Sequence, residues 1–189
     1  GDTMTGTLAL NVSGSSHLTT TTSGTSNFVL GVNAGNSIAS GGNYNVALGD
    51  EAGTAINTGD NNTVVGYQAG DAITTGGGNV AIGSGALSAG DTDSNSVAVG
   101  YNALASLNVG GNSNVAVGYN ALTNNVSGGN NTAIGTNALT SLNTSGGASD
   151  RNNTAVGNSA GQSVTSGYSN VLLGGNCGDA LTTGFNNVA

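Results

Sequence analysis

A block of about 17 residues recurs along this chain from Asn27 onward, and this short period constrains the fold more than any other feature. We count places within each copy from its opening residue, usually Asn; the fifth place is always Gly. The copies open as NFVLG at 27–31, NVALG at 45–49, NTVVG at 62–66, NVAIG at 79–83, SVAVG at 96–100, NVAVG at 114–118, NTAIG at 131–135, NTAVG at 153–157 and NVLLG at 170–174. They begin 18, 17, 17, 17, 18, 17, 22 and 17 residues apart, and Asn187 opens a further copy after another 17. Such a repeat predicts a stack of coils, each contacting only its neighbours.

The repeat predicts an all-β fold with one short strand in each coil. A short aliphatic run bounded by Asn and Gly is typical of a strand. Helix is excluded because Gly and Asn interrupt the chain every few residues and the apolar runs are too short. We therefore predict a parallel β-roll, or β-solenoid, of about 17-residue coils. The array would span 27–189, with nine full coils and the start of a tenth, after an N-terminal leader or linker at 1–26. We expect the chain to be a fragment of a longer protein.

Two apolar positions of the strand predict that the coils need an external cover. The fourth place is always a large aliphatic residue, such as Leu48 or Val65, and the eighth is Ala in every copy except the last, where it is Cys177. We expect the fourth place to face a narrow interior opposite the eighth. The third place, such as Ala47 or Val64, would then face outward, because side chains alternate across a strand. Identical chains related by cyclic symmetry would cover it, and we predict a homotrimer.

The polar positions predict turns and ladders. Gly at the fifth place supplies positive φ, and Asn at the first place tolerates left-handed backbone or caps its own turn. Stacked Asn side chains are expected to hydrogen-bond between coils. The longest spacing holds an insertion around 145–151, which we expect to form a surface loop.

Composition excludes several classes of partner. The formal charge is -8 and Arg151 is the only Lys or Arg, so the chain lacks the basic surface that nucleic acids or anionic membranes require. No apolar run approaches the length of a membrane helix, and we expect no membrane insertion. Cys177 has no second cysteine to pair with and is interpreted as a substitute for Ala.

No constellation of residues predicts catalysis, and we expect neither an enzyme nor a cofactor or metal site. His17 is the only histidine and lies in the leader. The run 91–95 opens like a D-x-D-x-N calcium loop, but Ser96 stands where the loop needs Gly, so we expect a solvated loop. Asp50 and Glu51 are adjacent on a turn and should diverge. A polysaccharide-cleaving spike is the least favoured class.

Three tyrosines share the sixth place, just after the strand: Tyr67, Tyr101 and Tyr119. Tyr101 and Tyr119 belong to neighbouring coils and are expected to stack. Their functional interpretation is a sugar-stacking, receptor-binding surface, and their structural one is a ladder at a corner of the coil. We favour the ladder and keep the three as the candidates for receptor binding.

The motif NVAVGYNAL at 114–122 resembles the head repeats of YadA-like trimeric autotransporter adhesins, and is more similar to the NTAIGYQAL-type arrays of bacteriophage tail fibres. The opening GDTMTGTLAL at 1–10 resembles an element common in phage tail fibres. The resemblance implies a left-handed roll in a homotrimer. It implies a structural shaft and adhesive segment of a tail fibre in the virion, used in host recognition. The implied partners are other tail or fibre proteins and a host-surface glycan or protein. The alternative is the head of a bacterial trimeric adhesin at the cell surface.

Overall fold

Nine short strands follow one another in the computed structural model, which describes residues 22–108, 110–143 and 151–189. The strands are β1 (Phe28–Leu30), β2 (Val46–Leu48), β3 (Thr63–Val65), β4 (Val80–Ile82), β5 (Val97–Val99), β6 (Val115–Val117), β7 (Thr132–Ile134), β8 (Thr154–Val156) and β9 (Val171–Leu173). Most of the leader, with the 1–10 element and His17, lies outside the described residues, as does most of the insertion predicted as a surface loop.

The strands form one parallel sheet in chain order, each paired only with the copies before and after it. Pairing joins equal places of successive copies, as in Ala47 with Val64. Val188 extends the register by an isolated bridge to Val171, where the tenth copy begins. The described ranges contain no helix. The predicted all-β solenoid of about 17-residue coils is confirmed.

The predicted facing of the strand was wrong. The third place is the one that points inward: Ala47 and Val64 have no exposed surface. The fourth place points outward, and Ile82 and Ile134 are 39% and 40% exposed. The reason is volume, since a coil this small holds little more than one layer of side chains. Alanine at the third and eighth places fills that space. The large aliphatic residue that each copy carries at its fourth place would not fit inside the coil.

The ninth and twelfth places complete the interior. The ninth place is left-handed whether it holds Gly70 (φ 57°) or Leu104 (φ 54°), so backbone conformation does not select the residue. Packing does: a Cβ on Gly70 would lie 2.7 Å from Val64 Cγ1 and 2.8 Å from Ile73 Cδ1. Ile73 is at the twelfth place. Glycine at the ninth place of this coil therefore leaves room for Val64 and Ile73.

The first-place asparagines form a buried ladder, as predicted. Asn62 Oδ1 accepts the backbone N–H of Asn79 at 3.0 Å, one coil further on. Asn62 Nδ2 donates to the Gly76 carbonyl at 2.9 Å, at the far end of its own coil. The side chain thus closes one coil and joins it to the next. These two bonds need an acceptor and a donor in one short side chain, and the amide of Asn supplies both.

The predicted left-handed backbone at the first place was wrong. Positive φ falls instead on the residue before it, such as Asn61 at 60°, and on the seventh place, such as Asn102 at 51°. The first residue enters the strand and donates its N–H to the ladder. The prediction for the fifth place is confirmed, since its glycines have φ between 129° and 140°.

Candidate functional site

An uncharged apolar strip runs along the outer face of the sheet. We define the outer strip as the nine fourth-place residues Leu30, Leu48, Val65, Ile82, Val99, Val117, Ile134, Val156 and Leu173. Each is half-buried or exposed, and Leu30 and Leu173 at its two ends are 63% and 59% exposed. The second-place residues beside it, such as Phe28 and Val97, are also uncharged. At one strand spacing of ~4.8 Å per coil the strip is roughly 38 Å long. The strip is a contiguous and partly exposed apolar surface, which makes it the candidate for an interaction surface.

The sixth-place tyrosines lie beyond the strip, on the turn after each strand. The rings of Tyr101 and Tyr119 stack with centroids 5.4 Å apart and planes 11° from parallel, which confirms the predicted contact. Tyr67 is separated from Tyr101 by the coil that carries Ser84. All three tyrosines are about half exposed, at 53%, 51% and 52% in chain order. Their role in receptor binding stays a prediction.

A second aromatic stack was missed by the sequence reasoning. Tyr168 and Phe185 stack at 4.9 Å with planes 2° apart. Both stand two residues before a first-place Asn, and they are 17 residues apart. Extending the comparison of places to the end of each coil would have revealed the pair.

The carboxylates of Asp50 and Glu51 do not converge. Asp50 Oδ1 accepts the Val32 backbone N–H at 3.1 Å, from the coil before it. Glu51 Oε2 accepts Gln68 Nε2 at 2.7 Å, from the coil after it. The predicted divergence is confirmed. Within the described ranges no three His, Cys, Asp or Glu residues are grouped so that they could hold a metal ion. No helix there is long and apolar enough to cross a membrane.

The prediction of a solvated loop at 91–95 was wrong for its central residue, Asp93. Asp93 is 1% exposed, because its backbone occupies the closing corner of the coil, where its carbonyl accepts Asn79 Nδ2 at 2.7 Å. Its Oδ1 accepts the Gly111 N–H at 2.9 Å, while its Oδ2 is buried without a hydrogen-bond partner. Burial raises the pKa of the Asp93 carboxyl, the Gly111 hydrogen bond opposes that rise, and the charge of Asp91 adds to it.

Asp93→Asn is expected to stabilise the protein at neutral pH by on the order of 1 kcal/mol. The raised pKa means that the folded state holds this proton more tightly than the unfolded state does. Stability is therefore lost as pH rises from the unfolded pKa through the raised folded one. The variant should escape that loss, and its advantage should vanish below the unfolded pKa. Urea unfolding at pH 7 and pH 3 measures both, with the exposed Asp179→Asn as the control. An equal gain at both pH values would contradict the buried-charge explanation.

The last coil leaves its eighth place partly open. Cys177 packs against the core and is half-buried. Its position agrees with its interpretation as a substitute for Ala. Comparisons of the chain with protein-family models, with characterised proteins and with solved structures find no match.

Proposed function

We propose that this chain is a structural and adhesive segment of a phage tail fibre that works as a homotrimer. The observation that carries the proposal is the outer strip, nine stacked aliphatic residues that a single chain leaves half-buried or exposed. The repeat and the leader element that resemble tail fibres add the viral setting. The left-handed sense of the roll, the virion location and the other tail proteins as partners belong to the same proposal.

Trimer formation would cover the outer strip with two copies of itself. Apolar surface contributes about 25 cal/mol per Å² when it is removed from water, and the strip has no charge to desolvate. Equal places of parallel chains would meet around the axis, so one favourable contact would be repeated at every coil. In an assembly with cyclic symmetry every copy of the strip is covered, so no strip is left free to bind a further chain.

Stiffness would follow from the ladders inside each chain. Every coil-to-coil step in the sheet carries backbone hydrogen bonds in register, and the buried Asn side chains add a second line of bonds parallel to the first. A rod built in this way transmits force along its axis through many hydrogen bonds at once. The proposed role is to hold a host-recognition tip away from the particle and to contact the host surface along the shaft.

The repeat also resembles the head repeats of bacterial trimeric adhesins, and such a head is the alternative function. The leader element favours the phage fibre. The sequence that flanks this chain in its source protein separates the two: a coiled-coil stalk and barrel anchor would support the adhesin, and a tail-attachment domain would support the fibre.

The solution mass of the chain tests the proposal. We expect about three times the protomer mass of 17.9 kDa by sedimentation equilibrium. Ile82→Asp with Ile134→Asp should reduce it to the protomer mass while the circular dichroism spectrum persists, because these side chains lie outside the coil. The control adds two charges at exposed sites away from the strip, Asn57→Asp with Asn124→Asp, and should remain trimeric. A folded, monomeric wild-type chain at micromolar concentration would overturn the trimer.

A further inference from the structure

The aromatic column at the sixth place contains a gap of one coil. Its backbone is continuous through the gap: the Tyr67 carbonyl accepts the Gly85 N–H and the Ser84 carbonyl accepts the Asn102 N–H, both at 3.0 Å. Ser84 therefore stands in register between Tyr67 and Tyr101. A serine side chain fills little of the space that a tyrosine ring occupies elsewhere in the column. The result is a notch with Ser84 and Gly85 as its floor and a tyrosine on each side.

The width of the notch follows from the coil spacing. Two coil steps place the Cα atoms of Tyr67 and Tyr101 roughly 9.5 Å apart. Carbon–carbon contacts of about 3.5–4.0 Å against each ring leave roughly 2 Å for the occupant itself. The opening therefore admits a single ring layer. The C–H bonds of a saturated six-membered ring would point at the negative faces of both tyrosine rings.

The surroundings of the notch supply polar partners but no charge of the right sign for an anion. Asn102 reaches over the floor, where a Cβ on Gly85 would lie 2.5 Å from its Oδ1. Gln68 follows Tyr67, but its amide donates to Glu51 in the coil before it and so points away from the notch. An amide group at the rim of an aromatic slot suits hydroxyl groups. The formal charge of -8, with Arg151 as the one Lys or Arg of the chain, disfavours acidic sugars.

We propose that the notch between Tyr67 and Tyr101 binds one pyranose ring of a neutral glycan. The proposal rests on the adhesive role proposed above and names its ligand class. Tyr119 does not line the notch; it backs Tyr101 through the stack at 5.4 Å and so holds that wall in place. Of the candidate tyrosines, two are assigned as contact residues and one as a positioning residue.

Filling the notch tests the proposal without removing any contact of the fold. Ser84→Tyr would complete a column of four stacked rings, whereas Thr136→Tyr would extend the column at its other end and leave the notch open. The full chain is titrated with hexasaccharides of glucose, mannose, galactose and N-acetylglucosamine, and with hexagalacturonic acid as the acidic probe. Tyrosine fluorescence and saturation-transfer NMR report binding.

We expect saturable binding of at least one neutral hexasaccharide by the wild type. Ser84→Tyr, Tyr67→Ala and Tyr101→Ala should each weaken it by at least about tenfold, the usual effect of one lost stacking contact, and Thr136→Tyr should change it less than about twofold. Unchanged binding by Ser84→Tyr, binding of the acidic probe alone, or no binding of any neutral probe would overturn the proposal. The mass of each variant is measured in parallel. A trimer that binds no sugar refutes the notch alone, and a monomer that binds sugar refutes the trimer alone.

Discussion

Gly100→Ala is expected to cost about 4 kcal/mol of folding free energy and to lower the melting temperature well below that of the wild type. Gly100 has φ 134°, a backbone conformation that a residue with a side chain rarely adopts. An added Cβ would also lie 2.5 Å from the Gly118 carbonyl oxygen. Neither the strain nor the clash can relax locally, because Gly118 packs in the same way against Gly135, with a Cβ-to-oxygen distance of 2.5 Å. Thermal and urea unfolding followed by circular dichroism measure the loss.

Gly175→Ala is the matched control for that substitution. Gly175 lies one place later in its coil, and a Cβ there would meet no atom closer than the Asn158 carbonyl oxygen at 3.8 Å. We expect its stability to stay within about 0.5 kcal/mol of the wild type. Equal losses for Gly100→Ala and Gly175→Ala would show that the fifth-place column is not what restricts the residue to glycine.

Asn62→Ala is expected to lower the free energy of unfolding by about 3–5 kcal/mol. Asn62 is fully buried, and its loss would leave the Asn79 N–H and the Gly76 carbonyl without their partners, each at roughly 1–3 kcal/mol. The cavity left by the amide adds to the cost. Urea unfolding followed by circular dichroism measures the change.

Asn57→Ala serves as the control because Asn57 is exposed and takes part in the stack through its backbone. It should change stability by less than about 0.5 kcal/mol. Asn62→Asp separates the two functions of the amide, since it keeps the acceptor and loses the donor. It should be destabilised at pH 7 by the buried charge as well. If Asn62→Ala unfolded like Asn57→Ala, the ladder would contribute nothing beyond the backbone bonds that run beside it.

One coil shows how the ladder tolerates an exception. Ser96 stands at the first place of the fifth coil and only accepts, from the Asn114 N–H at 3.2 Å. It has no amide to donate to the closing carbonyl of its own coil, on Gly111. Asn114 Nδ2 donates to that carbonyl as well as to Gly128 of its own coil. The neighbouring amide therefore substitutes for the missing donor, which the sequence repeat alone did not indicate.

Recurrence of residue types was sufficient to predict most of the architecture. The places of Asn, Gly and the aliphatic residues identified every strand, the parallel register, the Asn ladder and the positive φ of the fifth-place glycines. The Tyr101–Tyr119 stack followed from the same reasoning, because residues at equal places of adjacent coils must meet. These features depend on local conformation and on period, and both can be read along the chain.

Which side of the strand lies inside was decided only by the tertiary structure. Alternation requires Ala47 and Leu48 to point in opposite directions, but it is satisfied equally well by either assignment. The volume enclosed by one coil decides between the two assignments, because it accommodates Ala47 and not Leu48. The burial of Asp93 has the same origin, because it depends on how a closed coil places residues that are far apart in its sequence. The repeat determined what is stacked on what, and three-dimensional closure determined what faces water.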